Sequence, residues 1–490
     1  MGLGQPALAR CIPTDRGHGG TLKTDVRPGS VAVVRLHWVV LPGRAGPTGR
    51  RISRSFPRMT QHIFVIGLDD FNLAELQTVR NAGEYTFHGL VDYDTMVLPE
   101  SYPMPEIMAE ARRTLADAPA VDGIIGHWDF PTTSMLPILR REHGLPTPTL
   151  ESVLYCESKY WNRLACEQAV PECTPDFQGL DPYSDDPLAD LDVAYPFWLK
   201  PTVAFSSYLG FRIENEQQYL DAMATIREHI HVFAEPFDYI VEQCQNRAAL
   251  PDRGSGATCI AEGLIGGRLC TLEGYVHNGE VVVYAVVDSL RAANNVSFFS
   301  YQYPSQLPAG VRNRMIGHAE KLLHHIGLDH TPFNMEFFWD EAIDKIWLLE
   351  INARISKSHC PIFQIATGAS HHEVAIDIAL GRRPDFPRPE GRFPMAGKFM
   401  PRVFADTVVT RVPSEEEIQA LKRVHPELIV HIAIEEGMRL SELRAQDSYS
   451  FEIGDVFLGA ADEAELHQKF RHIMQALDFQ FADVVPTNYS

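Results

Sequence analysis

The chain has no apolar run long enough to cross a bilayer, no Cys-x-x-Cys pair and no internal repeat. The first absence argues against a membrane-spanning protein. The second removes the usual signs of a zinc site or a disulfide framework, because the eight cysteines (Cys11, Cys156, Cys166, Cys173, Cys244, Cys259, Cys270 and Cys360) are scattered. They read as core or inert thiols of a reducing compartment, and the expected location is cytoplasmic. Positive charge is scarce: 43 Lys and Arg stand against 64 Asp and Glu, a formal net charge of -21. Neither nucleic acid nor an anionic membrane is therefore expected as a main partner. No compelling Ser-His-Asp or Cys-His arrangement offers a side-chain nucleophile. What remains is ordinary globular composition, 45% hydrophobic and 22% charged over 490 residues, enough for two to four domains or subdomains.

The scarce positive charge is unevenly placed. Residues 1–58 carry ten Lys or Arg against Asp15 and Asp25, a net +8, which leaves -29 for residues 59–490. Glycine, proline and arginine dominate there, and periodicity is absent apart from a short run at 31–41, so disorder is expected. An organellar transit peptide, a basic regulatory tail and a start codon assigned too early all fit this composition. The ordered pattern begins directly after Met59, which favours Met59 as the true first residue.

The most informative stretch lies near the middle. Phe333-Asn-Met-Glu336-Phe is followed by a turn at 340–344 and then Leu349-Glu350-Ile-Asn352-Ala-Arg354. Strand side chains alternate faces, so Glu350, Asn352 and Arg354 point one way, and Glu336 on a hairpin partner can face the same side. That is an all-oxygen cluster for a hard divalent cation, most simply Mg2+, with a guanidinium beside it for an anion. Acids on a core-like strand are expensive unless a cation compensates them.

Before this stretch the chain alternates strand and helix signals. Strands are expected at 62–68, 85–91 and 121–126, with helices at 69–79, 105–116 and 133–143, a parallel α/β layer. Asp92, Asp94, His127, Trp128 and Asp129 follow strand ends, where ligands of such layers sit; capping and turn roles compete for most of them. After Pro146-Thr-Pro148, residues 149–170 read as one helix with Lys159 and Arg163 one turn apart. Residues 196–200 form a buried strand ending in Lys200, followed by a loop of small residues, Ser206, Ser207 and Gly210. Further strands are expected around Glu262 and at 272–277 and 281–287, with Asn278-Gly279 as a hairpin turn. Helices are expected at 214–230, 311–326 and 362–380. His324-His325 and His371-His372 are expected at the surface, since adjacent histidines on a helix diverge and chelate poorly. The run 337–339 reads as core.

These pieces in this order resemble the ATP-grasp superfamily of carboxylate ligases. The matched elements are Lys159 on a helix, Lys200-Pro201 ending a strand, the loop Ser206, Ser207 and Gly210, the acidic hinge strand at Glu262, Glu336, and Glu350-Ile-Asn352-Ala-Arg354. The resemblance implies an α/β and α+β chain with four parts. They are a basic extension at 1–58, a Rossmann-like domain at 59–148, the ATP-grasp domain at 149–385 and a C-terminal α/β closing segment at 386–490. It implies ATP held by Lys159, Lys200, the small-residue loop and a hinge around Glu262 and Leu264. It also implies one or two Mg2+ ions (or Mn2+) on Glu336, Glu350 and Asn352, and substrate carboxylate at Arg354. Arg291 is a second candidate for that carboxylate, and Lys357 and His359 could meet a substrate anion. The implied activity couples a small-molecule carboxylate to an amine through an acyl phosphate, in a chain for which a homodimer is compatible. A non-catalytic ATP-binding subunit and a biotin-carboxylase-like enzyme are the alternatives.

Overall fold

Strand β1 (Gln61–Leu68) lies between β2 (Tyr85–Asp92) and β3 (Gly123–Ile125), all three parallel. The computed structural model describes residues 60–97, 101–204, 209–443, 446–447 and 449–489. The expected extension at 1–58, together with Ser206 and Ser207, lies outside the described residues. Helices α1 (Asp70–Leu76), α2 (Tyr93–Val97), α3 (Met104–Ala116) and α4 (Thr132–Glu142) accompany this sheet. Strand β1 is apolar on both faces because both are covered. Phe64 and Ile66 pack with Met104, Met108 and Leu136, while Ile63 and Val65 pack with Ala375, Ile376 and Ala379 from a distant helix. Asp69 caps α1 by accepting from the Asn72 amide at 2.7 Å.

Where one helix was expected over 149–170 there are two, α5 (Leu150–Glu157) and α6 (Lys159–Ala169). Ser158 is extended (φ -84°, ψ 107°), and its hydroxyl accepts from the Trp161 amide, so it caps α6. Hydrophobic periodicity continues through the break, which hid it.

Strands β4 (Phe177–Leu180), β5 (Phe197–Pro201), β6 (Phe211–Ile213) and β7 (Cys259–Gly263) form an antiparallel sheet in the order β4-β7-β5-β6. Phe197, Leu199 and Ala261 pack there with Tyr219, Met223 and Ile226 of the helix Glu216–His229.

The largest sheet begins with β8 (Arg268–His277), β9 (Glu280–Arg291) and β10 (Phe298–Tyr303). It adds β11 (Thr331–Asp340), β12 (Lys345–Asn352), β13 (Met395–Phe399) and the strands Gly454–Ala460 and Ile429–Ile432. Its order is β12-β11-β8-β9-β10-β13, then Gly454–Ala460 and Ile429–Ile432, eight strands in all. Asn278 (φ 52°) and Gly279 (φ 75°) turn β8 into β9, as the Asn-Gly pair requires. Leu272, Phe333, Met335, Phe337 and Ile351 pack against Val311, Met315, Ala319 and Leu322 of the helix Ala309–His325. The alternate residues of β8, β11 and β12 are therefore left for the other face.

The expected helix over 362–380 is also two, Cys360–Thr367 and His372–Ala379. Gly368 ends the first in the left-handed region (φ 83°), which its missing Cβ permits. His324 and His325 are exposed, but the surface expectation fails for His371 and His372, which are fully buried. His371 hydrogen-bonds Tyr284 (3.0 Å) and the Ser356 carbonyl (2.9 Å). His372 stacks edge-on against buried His127 at 5.2 Å, and neither ring finds a hydrogen-bond partner among the described residues. Burial holds both neutral, His372 down at about 3 and His127 well below its usual range.

Candidate functional site

Lys200 and Glu262 show how the four-stranded sheet builds a cationic wall. Trp198 stands opposite Glu262 in the β5–β7 ladder, and Lys200 lies two residues further, so Lys200 and Glu262 are diagonal neighbours on one face. Lys200 Nζ lies 2.6 Å from one carboxylate oxygen of Glu262, and Arg163 Nε donates to the other at 2.6 Å. Burial pulls the Glu262 carboxyl upward, but the two cations outweigh it and hold it down at about 2. Arg163 also donates from Nη2 to the Leu349 carbonyl at 2.8 Å. That carbonyl is available because β12 bulges there: Glu336 pairs with Glu350 and Phe337 with Leu348, leaving Leu349 without a ladder partner. Arg163 thus ties α6, β7 and β12 together.

Lys159 opens α6, and its Nζ donates to the Ala204 carbonyl at 2.6 Å. Burial lowers its basicity, opposed by the charges of Glu350, Glu157 and Glu262 and aided by that of Lys200. Gly210 is half-buried beyond the undescribed part of its loop. Leu264, just past β7, leaves 41% of its surface exposed, an apolar side chain beside a strand end.

The carboxylates lie across the β11–β12 ladder. Glu336 is directly opposite Glu350 and Asn334 directly opposite Asn352, so all four side chains share a face. Asn352 Nδ2 donates to Asn334 Oδ1 at 3.0 Å, leaving the Asn352 carbonyl oxygen to act as a ligand. Burial, then repulsion from Glu350, raises the Glu336 carboxyl above the usual carboxylate range. Among the described residues no group of three or more His, Cys, Asp or Glu side chains is placed to hold a metal. The set here is two carboxylates and one carboxamide. Two acids forced together under burial call for a cation, and an oxygen-only set with open positions suits Mg2+ completed by phosphate oxygens and water. The residues therefore fit that ion.

Arg354, past β12, reaches the loop after β3. Its Nε donates to Asp129 Oδ1 at 2.7 Å, and its Nη2 bonds the same carboxylate. Arg291 lies on the other side of Glu336: its guanidinium sits over Phe298 (5.2 Å) and Phe338 (5.5 Å), and its charge is felt by Glu336. Lys357 lies 4.4 Å above the Trp128 ring, and Trp128 Nε1 donates to the Gly67 carbonyl at 2.8 Å. His359 Nδ1 is hydrogen-bonded to buried Glu273, at 2.7 Å. Lys159, Lys200, Glu262, Glu336, Glu350, Asn352, Arg354 and Arg291 are thus joined by direct bonds, ladder pairing or mutual charge.

A family model of the ATP-grasp domain matches residues 193–361. The chain carries an ATP-grasp fold. L-amino acid ligase from Bacillus licheniformis superposes with a TM-score of 0.65 over 87% of this chain and 100% of its own, at 16% identity. Biotin carboxylase from Campylobacter jejuni, in a beta-gamma-ATP complex, gives 0.58 over 87% and 93%, also at 16% identity. Carboxyaminoimidazole ribonucleotide synthase from Aspergillus clavatus, complexed with ATP, gives 0.56 over 86% and 98%, at 14% identity. No curated protein sequence matches the chain. No helix among the described residues is long and apolar enough to cross a membrane.

Several residues of this site escaped the sequence. Arg163 read only as the helical neighbour of Lys159, and its carboxylate partner is 99 residues away. Glu157 carried no local signal, being one more acid inside the single helix expected over 149–170. Asp129 was legible as a residue beyond a strand end, but its tie to Arg354 spans 225 residues.

Proposed function

We propose that this chain is an ATP-dependent ligase that activates a carboxylate as an acyl phosphate and couples it to an amine, releasing ADP and phosphate. The observation that carries the reading is the direct pairing of Glu336 with Glu350, with Asn352 on the same face and Lys159 within charge reach of Glu350. A polyphosphate needs cations on several sides, and this chain gathers lysines from α6 and β5 beside a carboxylate pair that itself needs a metal. Mg2+ held by Glu336, Glu350 and Asn352 (one or two ions, with Mn2+ a substitute) would draw charge off the transferred phosphoryl group.

In this reading Lys159 and Lys200 hold the α- and β-phosphates. Ser206, Ser207 and Gly210 are assigned to the β- and γ-phosphates. Backbone groups between Glu262 and Leu264 meet the edge of adenine, and the Leu264 side chain its face. The Glu262 carboxylate acts through a neighbour, since with Arg163 it fixes Lys200. A substrate carboxylate oxygen attacks the γ-phosphorus, and the bond to the bridging oxygen breaks to release ADP. The amine nitrogen then attacks the acyl carbon, and the C–O bond to phosphate breaks. Arg354 and Arg291 hold the carboxylate and the phosphorylated product of the first step. Likeness to an L-amino acid ligase supports amino acids as the first substrates to try.

The test is ADP release in the presence of ATP and Mg2+ with pooled amino acids and small carboxylates. Stimulation by a carboxylate–amine pair supports the ligase, and no stimulation by any mixture favours a non-catalytic nucleotide binder. Likeness to a biotin carboxylase supports a second reading, in which bicarbonate is the carboxylate activated. Stimulation that requires added bicarbonate would select it.

A further inference from the structure

Glu157 is a carboxylate in a place that phosphate binding does not explain. It is the last residue of α5, two positions before Lys159. Thr133 Oγ1, in the first turn of α4, donates to its Oε1 at 2.5 Å. Glu157 feels the charges of Asp129 from the loop after β3, of Lys159 on α6 and of Arg354 beyond β12, and the neighbouring Cys156 thiol feels its own. A negative group beside polyphosphate-binding lysines is unfavourable, and the partial negative charge at the end of α5 makes it more so. Glu157 stands two residues before Lys159, and its partner Thr133 stands four residues after Asp129, the partner of Arg354.

In the proposed reaction a second substrate must arrive between those groups. An amine is an ammonium at neutral pH and cannot attack until it loses a proton. Asp129 is bonded to the guanidinium assigned to the acyl phosphate, and Glu157, within charge reach of that guanidinium, is held by a hydroxyl donor from a separate helix.

Resting on the ligase reading, we propose that Glu157 is the base that accepts the proton of the ammonium substrate, with Asp129 steering that ammonium toward Arg354. The substrate class is a primary amine that is protonated at neutral pH, such as an α-amino acid. The N–H bond breaks toward Glu157 and the freed lone pair forms the N–C bond. Attack leaves that nitrogen one proton in excess of an amide; as the C–O bond to phosphate breaks with its electron pair, this second proton passes to the departing phosphate, and Glu157 releases the first to water. Burial raises the Glu157 carboxyl to about 7, opposed by the Thr133 hydrogen bond, Lys159 and Arg354 and aided by Asp129. It is therefore a competent proton acceptor near neutrality.

The experiment compares two nucleophiles in the full-length protein with ATP, Mg2+ and the pooled substrates. Hydroxylamine is uncharged at neutral pH and needs no base, so hydroxamate formation reports the acyl phosphate alone. Glu157→Gln, whose amide oxygen can still accept from Thr133, is expected to lose amide formation by about 100-fold and hydroxamate formation far less. Wild-type amide formation should rise with pH to a plateau near neutrality, and that limb should be missing in Glu157→Gln. Thr133→Val, which removes only the hydroxyl donor, should move the limb to higher pH and restore the rate above it. Equal loss of both products in Glu157→Gln, or amide formation with the wild-type pH profile, overturns the assignment. Wild-type protein that makes neither ADP nor hydroxamate instead removes the ligase reading, and this inference with it.

Discussion

Lys200 and Glu262 form an ion pair at 2.6 Å on one face of the four-stranded sheet, and Arg163 holds the other carboxylate oxygen. A buried carboxylate between two cations is costly to break, because each cation left behind is uncompensated. Glu262→Gln is expected to lower stability by roughly 3 kcal/mol and to raise the KM for ATP by loosening Lys200. The folded Glu262 carboxyl, at about 2, lies below its unfolded value of 4.5. Its contribution is therefore complete above the unfolded value and lost as pH falls toward the folded one. Urea titrations at pH 7 and pH 3 should show that loss in wild type and its absence in the variant.

The Glu336–Glu350 pair predicts opposite effects on stability and turnover. Without metal, two acids face each other under burial, so Glu336→Gln removes a repulsion and should stabilise the protein by ~1 kcal/mol. The same change should cut ADP release by about 100-fold and abolish the thermal shift given by Mg2+ with nucleotide. Melting curves with EDTA and with Mg2+ separate the two. A variant that keeps the Mg2+-linked shift contradicts the metal assignment.

Arg354 grips Asp129 through Nε and Nη2. A lysine cannot reproduce that fork, so Arg354→Lys should reduce ADP release by about 100-fold even though charge is kept. Asp129→Asn should cost less alone. In the double variant the losses should fail to add by roughly 1 kcal/mol or more, as expected for side chains in contact. Initial rates of ADP release for the four proteins give the coupling directly.

Buried, neutral His372 makes stability pH-dependent. Its folded value of about 3 lies below the unfolded 6.5, so the unfolded chain binds the extra proton first. Stability is lost as pH falls below the unfolded value, by up to about 1.4 kcal/mol per pH unit for one group. His372→Leu should flatten the dependence between pH 6.5 and pH 4 by that amount relative to wild type. Denaturant midpoints at pH 7, 6 and 5 suffice to read the difference.

Local pattern was enough wherever one strand or one loop determined the outcome. The period of two placed Glu350 and Asn352 on one face, and Asn278-Gly279 marked its turn before any partner strand was known. Order along the chain then carried the fold, since Lys159, Lys200, Glu336 and Glu350 occur in one direction with fitting separations. Illegible features were those in which distant segments meet. Ser158 breaks a helix because its hydroxyl caps the next one, and apolar periodicity runs straight across that site. His371 and His372 read as surface residues because nothing nearby in sequence told that Tyr284 of β9 would cover the first and His127, from the loop after β3, the second. Glu262 read as part of a hinge, whereas its side chain answers Arg163 and Lys200.

The eight-stranded sheet has one more consequence. Ser300–Tyr303 hydrogen-bond to Ala396–Phe399, so the middle of that sheet depends on chain that comes almost a hundred residues later. A polypeptide stopped before Met395 would end its synthesis with a raw border along β10, its amides and carbonyls open to any passing strand. Truncation there should yield aggregates rather than a smaller working enzyme.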